Sequence, residues 1–267
     1  FGDGVHDDTS AIQAAILCCP KNARVLIPKG TYPVTALFLK SDMILELQEN
    51  AVLAGIYDRA RTPILPGQIE YDNEDGYYNL GSWEGNPIDS FASMITGIHV
   101  KNVTICGKGV LDGRADFENW WSRPKDKIRA WRPRMIFLNH CENITVVGVT
   151  VQNSPAWNLH PYFSNQIRFL DMEVKGPANS HNTDGCDPES CTNVEIAGVH
   201  FSVGDDCIAI KSGKIYMGKK FKVPSKHIHI RQSWMQDGHG AVTVGSEIAA
   251  GVDDIHISKC RFSNTDR

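Results

Sequence analysis

Asn102-Val103-Thr104-Ile105, Asn143-Ile144-Thr145-Val146, Gln166-Ile167-Arg168-Phe169, Asn193-Val194-Glu195-Ile196, His227-Ile228-His229-Ile230 and Asp254-Ile255-His256-Ile257 share one pattern. Each opens on a polar residue and then alternates apolar and polar positions. Their starts fall 41, 23, 27, 34 and 27 residues apart, and most are followed by a second apolar pair, as with Val149 and Val151, Met172 and Val174, or Val199 and Phe201. A period of two is that of a strand with one face buried. Recurrence at unequal spacing fits the coils of a solenoid, whose turns absorb the differences in length. A sandwich would show the same alternation but needs hairpin turns at shorter, more even spacing, and the chain contains no Asn-Gly dipeptide. The expected class is all-β, a parallel β-helix in which neighbouring coils pair at ~4.8 Å and equivalent residues stack in columns.

Upstream of the repeats lies the clearest helical signal. Asp7-Asp8-Thr9 offers N-cap oxygens, a small and apolar stretch from Ala11 to Leu17 follows, and Pro20 ends it. A β-helix has open sheet edges at its ends, which invite pairing with other chains. A helix at about residues 8–19 is expected to cap the first coil. No comparable segment follows the last repeat, so further capping coils are expected beyond Arg267. All 267 residues are expected to form one β-helix domain.

Composition narrows the function classes. A net charge of −4 argues against nucleic acid as a partner, because phosphates need a basic surface. No run of eighteen apolar residues is present, so no membrane span is expected. The chain opens on Phe1-Gly2-Asp3-Gly4 without a signal peptide, which a mature chain would also lack. The eight cysteines form no Cys-x-x-Cys pair and no zinc spacing. Scattered buried thiols are the simpler reading, with one or two disulfides as the alternative.

Two long insertions interrupt the rhythm. Residues 57–93 carry Tyr71, Tyr77, Tyr78 and Trp83; residues 113–134 carry Trp120, Trp121 and Trp131 with Arg123, Lys125, Lys127, Arg129, Arg132 and Arg134. Charged loops are commonly solvated surface, but three Trp in a basic loop suit an anionic sugar polymer.

The chemistry concentrates in Asn182-Thr183-Asp184-Gly185, Gly204-Asp205-Asp206-Cys207 and Gly238-His239-Gly240. Asp205 lies 12 residues after Asn193 and His239 lies 12 after His227, so the repeat puts both at the same corner of successive coils. Asp184 falls in the turn of the coil before. Adjacent strand residues point to opposite faces, so Asp205 and Asp206 both face outward only where the backbone bends, which Gly204 permits. An Asp-Asp pair by itself is a solvated turn. Three gathered carboxylates repel one another, and that raises at least one pKa, as a general acid requires. Inverting glycoside hydrolysis needs one protonated carboxyl for the leaving oxygen and one carboxylate for the water. The same carboxylates could instead hold Ca²⁺, with Lys211 as the candidate base of an eliminating enzyme. No nucleophile elbow and no phosphate or dinucleotide loop is present.

With these residues in hand, the chain resembles the polygalacturonases of glycoside hydrolase family 28. The resemblance rests on Asn182-Thr183-Asp184-Gly185, Gly204-Asp205-Asp206-Cys207-Ile208-Ala209-Ile210-Lys211-Ser212-Gly213 and Gly238-His239-Gly240 with Val244-Gly245-Ser246-Glu247. The opening Gly2-Asp3-Gly4-Val5-His6-Asp7-Asp8-Thr9 and Asn153-Ser154-Pro155-Ala156-Trp157-Asn158-Leu159-His160-Pro161 are similar to that family as well. Asp187-Pro188-Glu189-Ser190 and the aromatic insertions look closer to its bacterial, often exo-acting branch. The resemblance implies a right-handed β-helix and inverting hydrolysis of α-1,4-linked galacturonate, with no cofactor and no catalytic metal. It implies Asp205 as general acid, Asp184 and Asp206 as the holders of the attacking water, and His239 as the group orienting the acid. It implies Asn182, His160 and Lys211 as residues lining the sugar site. Pectin oligosaccharides are the implied partner; the protein is expected to be a monomer that acts outside the cell or in the periplasm, with the cell interior as the alternative.

Two departures from the family pattern stand out. The Arg-Ile-Lys that binds the galacturonate carboxylate, and a Tyr beyond it, are expected after Asn264-Thr265-Asp266-Arg267, so this stretch by itself is expected to bind substrate poorly. Asp237 stands where fungal relatives carry a Cys, so their disulfide to the equivalent of Cys207 is not expected. The competing readings are a hydrolase of branched pectin, a calcium-dependent pectate lyase and a non-catalytic carbohydrate-binding β-helix.

Overall fold

A computed structural model describes residues 1–67 and 79–266. The six repeat segments fall in one sheet, in strands Lys101–Gly107, Glu142–Val147, Asn165–Leu170, Thr192–Ala197, Ser225–Arg231 and Val252–Ser258. They pair in parallel and in register. Val103, Ile144, Ile167, Val194, Ile228 and Ile255 form one inward column; Ile105, Val146, Phe169, Ile196, Ile230 and Ile257 form the next. Every member through the Ser225–Arg231 strand is buried. Each such side chain contributes roughly 1.5–3 kcal/mol by leaving water.

The polar residue that opens each repeat has a backbone reason. Asn102, Asn143, Gln166, Asn193, His227 and Asp254 all have φ between 54° and 57°, the left-handed region. Asn and Asp tolerate it better than β-branched or bulky apolar residues. Their side chains also bond up the stack: Asn143 Nδ2 donates to Asn102 Oδ1 at 2.9 Å, and Asn102 Nδ2 to Asp42 Oδ1 at 2.7 Å.

A second eight-stranded sheet stacks Tyr32, Leu53, Leu111, Val151, Val174, Phe201, Met235 and Phe262. A third runs through Leu37–Phe38, Ile95–Ile98, Ile136–Asn139 and Leu159–Tyr162. Bridges at Cys186 and Glu189 carry it on to Ile208–Ile210 and Val242–Val244. The architecture is a right-handed parallel β-helix. No helix of the described residues is long and apolar enough to cross a membrane.

The first helix spans Thr9–Cys18 and buries Ile12 and Ile16 over the end of the core. Gln13 acts as a surrogate strand: its Nε2 donates to Phe38 O at 2.9 Å and its Oε1 accepts from Phe38 N at 2.7 Å. That satisfies backbone groups of the outermost strand of the third sheet. The expected N-cap is corrected in one respect. Asp8 occupies the cap position without a capping hydrogen bond, because its carboxylate accepts instead from Gly2 N.

Other expectations are also corrected. A second helix, Ile215–Phe221, was not read from the sequence; it is seven residues long, and Gly218 lets it pass against Ala249. All eight cysteines are free thiols, which removes the disulfide alternative. Trp120 and Trp121 are buried rather than presented to a ligand. Trp120 packs edge-on against Phe91 under Arg59, and Trp121 donates from Nε1 to Ser154 O. Tyr71, Tyr77 and Tyr78 lie outside the described residues.

Candidate active site

The register of the third sheet builds the site. Cys186 aligns with Ile208, which aligns with Val242. Counting back two residues from each gives Asp184, Asp206 and Gly240; counting back three gives Thr183, Asp205 and His239. Backbone bonds hold this register through the turns: Gly185 N to Asp206 O at 2.9 Å, Cys207 N to Gly240 O at 2.7 Å, and His239 N to Asp205 O at 3.0 Å. Asp184 and Asp206 therefore sit one above the other, and Asp205 sits beside His239 on the next coil.

Small residues make room for this crowding. A Cβ on Gly240 would stand 2.5 Å from Asp206 Oδ1, and one on Gly238 would stand 2.4 Å from Cys207 Sγ. Gly204 serves the same purpose, since a Cβ there would meet Ser180 O at 2.4 Å. Close approach is what the glycine provides at that position. Thr183 locks the two turns together, its Oγ1 accepting from Gly204 N at 3.1 Å while meeting Ser180 Oγ at 2.6 Å.

The side chains grade from buried to open. Asp184 is 4% exposed, whereas the side chains of Asp206, Asp205 and His239 are 14%, 30% and 44% exposed. His239 Nδ1 lies 3.8 Å from Asp205 Oδ1 and 4.0 Å from Asp206 Oδ1. Asp206 Oδ1 is buried without a hydrogen-bond partner in the described protein, a place suited to a water molecule. Burial, and then the charge of Asp205, pushes the Asp184 carboxyl up to about 8. Burial, and then Asp206, raises Asp205 as well. The cluster therefore retains a proton near neutrality. Asp205 is the member of the raised pair that reaches solvent.

Beneath the cluster is a set of buried charges that sequence reasoning missed. Asp187 and Glu189 are wholly buried, and burial raises both, Glu189 to about 7. Lys211 Nζ lies 2.9 Å from Glu247 Oε2, 3.2 Å from Gly245 O and 3.7 Å from Asp187 Oδ1. Burial works against its charge, but the carboxylates of Asp187, Asp184 and Glu247 outweigh it and hold the ammonium. The 36-residue separation hid the partnership of Lys211 with Glu247.

Two residues expected to line a sugar site, His160 and Lys211, are buried. His160 is 0% exposed, with Nε2 2.9 Å from Glu189 Oε2 and its ring edge-on to Trp157. Lys211 is spent on its carboxylates. Asn182 does reach the surface, where Arg132 Nη2 donates to its Oδ1 at 2.7 Å. Arg132 is itself buried and anchored by Pro155 O and His181 O. Asn182, Trp83, Trp131 and Lys125 line a cavity of about 340 Å³, with Trp131 stacked 4.8 Å from Trp83. A second cavity, of about 280 Å³, opens beside His239 and Gly204. Asp205, Asp206 and His239 also have ligand atoms within 4.8 Å of one another, a spacing that a cation could use.

The family model for glycosyl hydrolases family 28 matches residues 65–267. A probable polygalacturonase of Vitis vinifera is 31% identical over 262 residues, covering 95% of this chain and 51% of the relative. An exo-poly-alpha-D-galacturonosidase of Dickeya chrysanthemi is 28% identical, covering 95% of this chain and 47% of the relative. The chain thus spans about half the length of these curated relatives. The crystal structure of a hyperthermoactive exopolygalacturonase from Thermotoga maritima superposes with a TM-score of 0.85 at 27% identity, over 99% of this chain and 65% of that one.

Proposed function

The chain belongs to the glycosyl hydrolases of family 28, and from that premise we propose that it hydrolyses α-1,4-galacturonosyl linkages of pectin by an inverting acid–base mechanism. The observation that carries this reading is the stack of Asp184 on Asp206 with Asp205 and His239 beside them at the mouth. Asp205 donates its proton to the glycosidic oxygen as the C1–O bond breaks. Water attacks C1 from the opposite face and loses a proton to the Asp184–Asp206 pair. His239, 3.8 Å from Asp205, orients the acid and offsets negative charge as it develops there.

The cavity beside Asn182 receives the neighbouring sugar. Trp131 offers a flat apolar face, and Lys125 offers a cation to a uronate carboxylate. The reaction as drawn uses no metal and no cofactor. Polymeric pectin is met outside the cytoplasm, and the enzyme works there as a monomer. Its relatives carry the names of exo- and endo-acting enzymes alike.

Polygalacturonate incubated with the full-length protein should release reducing ends without any rise in the ultraviolet absorbance of an unsaturated uronide. An absorbance increase that tracks the reducing ends, or depends on calcium, would replace hydrolysis with elimination.

A further inference from the structure

On the outward face of the first sheet, far along the stack, two strands place four metal-ligating residues in a two-by-two array. His227 and His229 alternate along Ser225–Arg231; Asp254 and His256 alternate along the neighbouring Val252–Ser258. His229 is paired directly with His256, their rings 5.1 Å apart. One donor atom from each of His229, Asp254 and His256 lies within 4.8 Å of the other two, and all three residues are exposed. His256 Nε2 is 2.7 Å from Asp254 Oδ1, and His227 Nδ1 bonds the other oxygen, Asp254 Oδ2.

We propose that His229, Asp254 and His256 bind a divalent transition-metal ion of the zinc, copper or nickel type, with His227 holding the carboxylate from outside. Two imidazoles and a carboxylate are the donor set such ions take, and Ca²⁺ or Mg²⁺ would prefer all oxygen. Tetrahedral coordination at ~2.0–2.1 Å needs ligand atoms about 3.3 Å apart, within small side-chain rotations of the present positions. A histidine fixing a ligating carboxylate is the kind of outer contact that orients metal ligands.

The preceding coils add no further ligand to this column. The positions equivalent to His229 and His256 on preceding coils are Thr145, Arg168 and Glu195. Glu195 is already engaged, accepting from Arg231 Nε and Nη2 at 3.0 and 2.7 Å. A concave surface lined by Arg168, Glu195, His227 and His229 adjoins the array, so the ion has open access. This site stands apart from the carboxylate cluster and does not depend on the reaction proposed above.

The test is calorimetric titration of the full-length protein, free of any polyhistidine tag, with ZnCl₂ at neutral pH, alongside Cu²⁺ electron paramagnetic resonance. One equivalent should bind, and the copper spectrum should carry coupling to imidazole nitrogen. His229→Gln, His256→Gln and Asp254→Asn should each weaken binding by more than about 100-fold, and His227→Gln by about 10-fold, the range for lost outer-sphere contacts. All four positions are exposed, so unchanged melting temperatures would show that the fold is intact. Absence of saturable binding would overturn the proposal. So would binding that survives His256→Gln and disappears in His239→Gln, since that would place the ion at the carboxylate cluster.

Discussion

Asp205→Asn in the full-length protein should lower kcat on polygalacturonate by about 10³-fold, within the ~10²–10⁴ that a positioned general acid supplies, with KM nearly unchanged. The substitution keeps shape and hydrogen bonding, since the amide oxygen can still accept from Asp206 N as Asp205 Oδ1 does now at 3.1 Å. What it removes is the transferable proton. The loss should shrink markedly on an aryl galacturonide, whose leaving group departs without protonation. A structural role for Asp205 would slow both substrates alike. A fall of less than about 10-fold on the polymer would transfer the acid to another carboxyl, with Asp184 the nearest candidate by its raised pKa.

The second large effect is on stability. Lys211→Met should lower the free energy of unfolding by about 3–5 kcal/mol, the cost of leaving buried charges without their partner. Lys211 is 5% exposed, and its ammonium is shared among Asp187, Asp184 and Glu247. Removing it leaves these carboxylates to protonate or to repel one another. An exposed pair offers the contrast. Arg24 and Glu46 make a shorter contact, at 2.6 Å, than the 2.9 Å of Lys211 and Glu247, yet with side chains 60% and 28% exposed their separation should cost under about 1 kcal/mol. Urea unfolding of the two variants side by side checks the difference, and equal losses would contradict the assignment of Lys211 as the keystone of the buried charges.

Much of the fold was legible because a β-helix writes its period into the chain. The six repeats mark inward columns directly, and even their polar first residues turn out to have a single backbone cause, a left-handed φ. The terminal helix was legible from Ala11 to Leu17. Ile215–Phe221 was not, since seven residues interrupted by Gly218 give no helical period. At the site, the repeat offset placed Asp205 beside His239, and glycine-flanked turns picked out the rest.

What the sequence hid was depth. His160 and Lys211 are polar residues beside the chemistry, and nothing in their local sequence says that they point inward. Their burial depends on partners 29 and 36 residues away, Glu189 and Glu247. The basic aromatic loop misled in the same way. Trp120, Trp121, Arg132 and Arg134 are buried, with Arg134 lying 5.3 Å from the Trp83 ring and 5.2 Å from that of Trp157. Amphipathic side chains can fill a core as readily as they cover a surface.

In the proposed mechanism the Asp184–Asp206 pair directs water to the sugar without a covalent intermediate. Proton NMR of the first product released from an α-linked galacturonate oligomer tests it most directly. The new reducing end should appear first as the β-anomer and reach the α form only by later mutarotation. An α-anomer formed first would mean that configuration is retained and that one of the aspartates attacks the sugar itself.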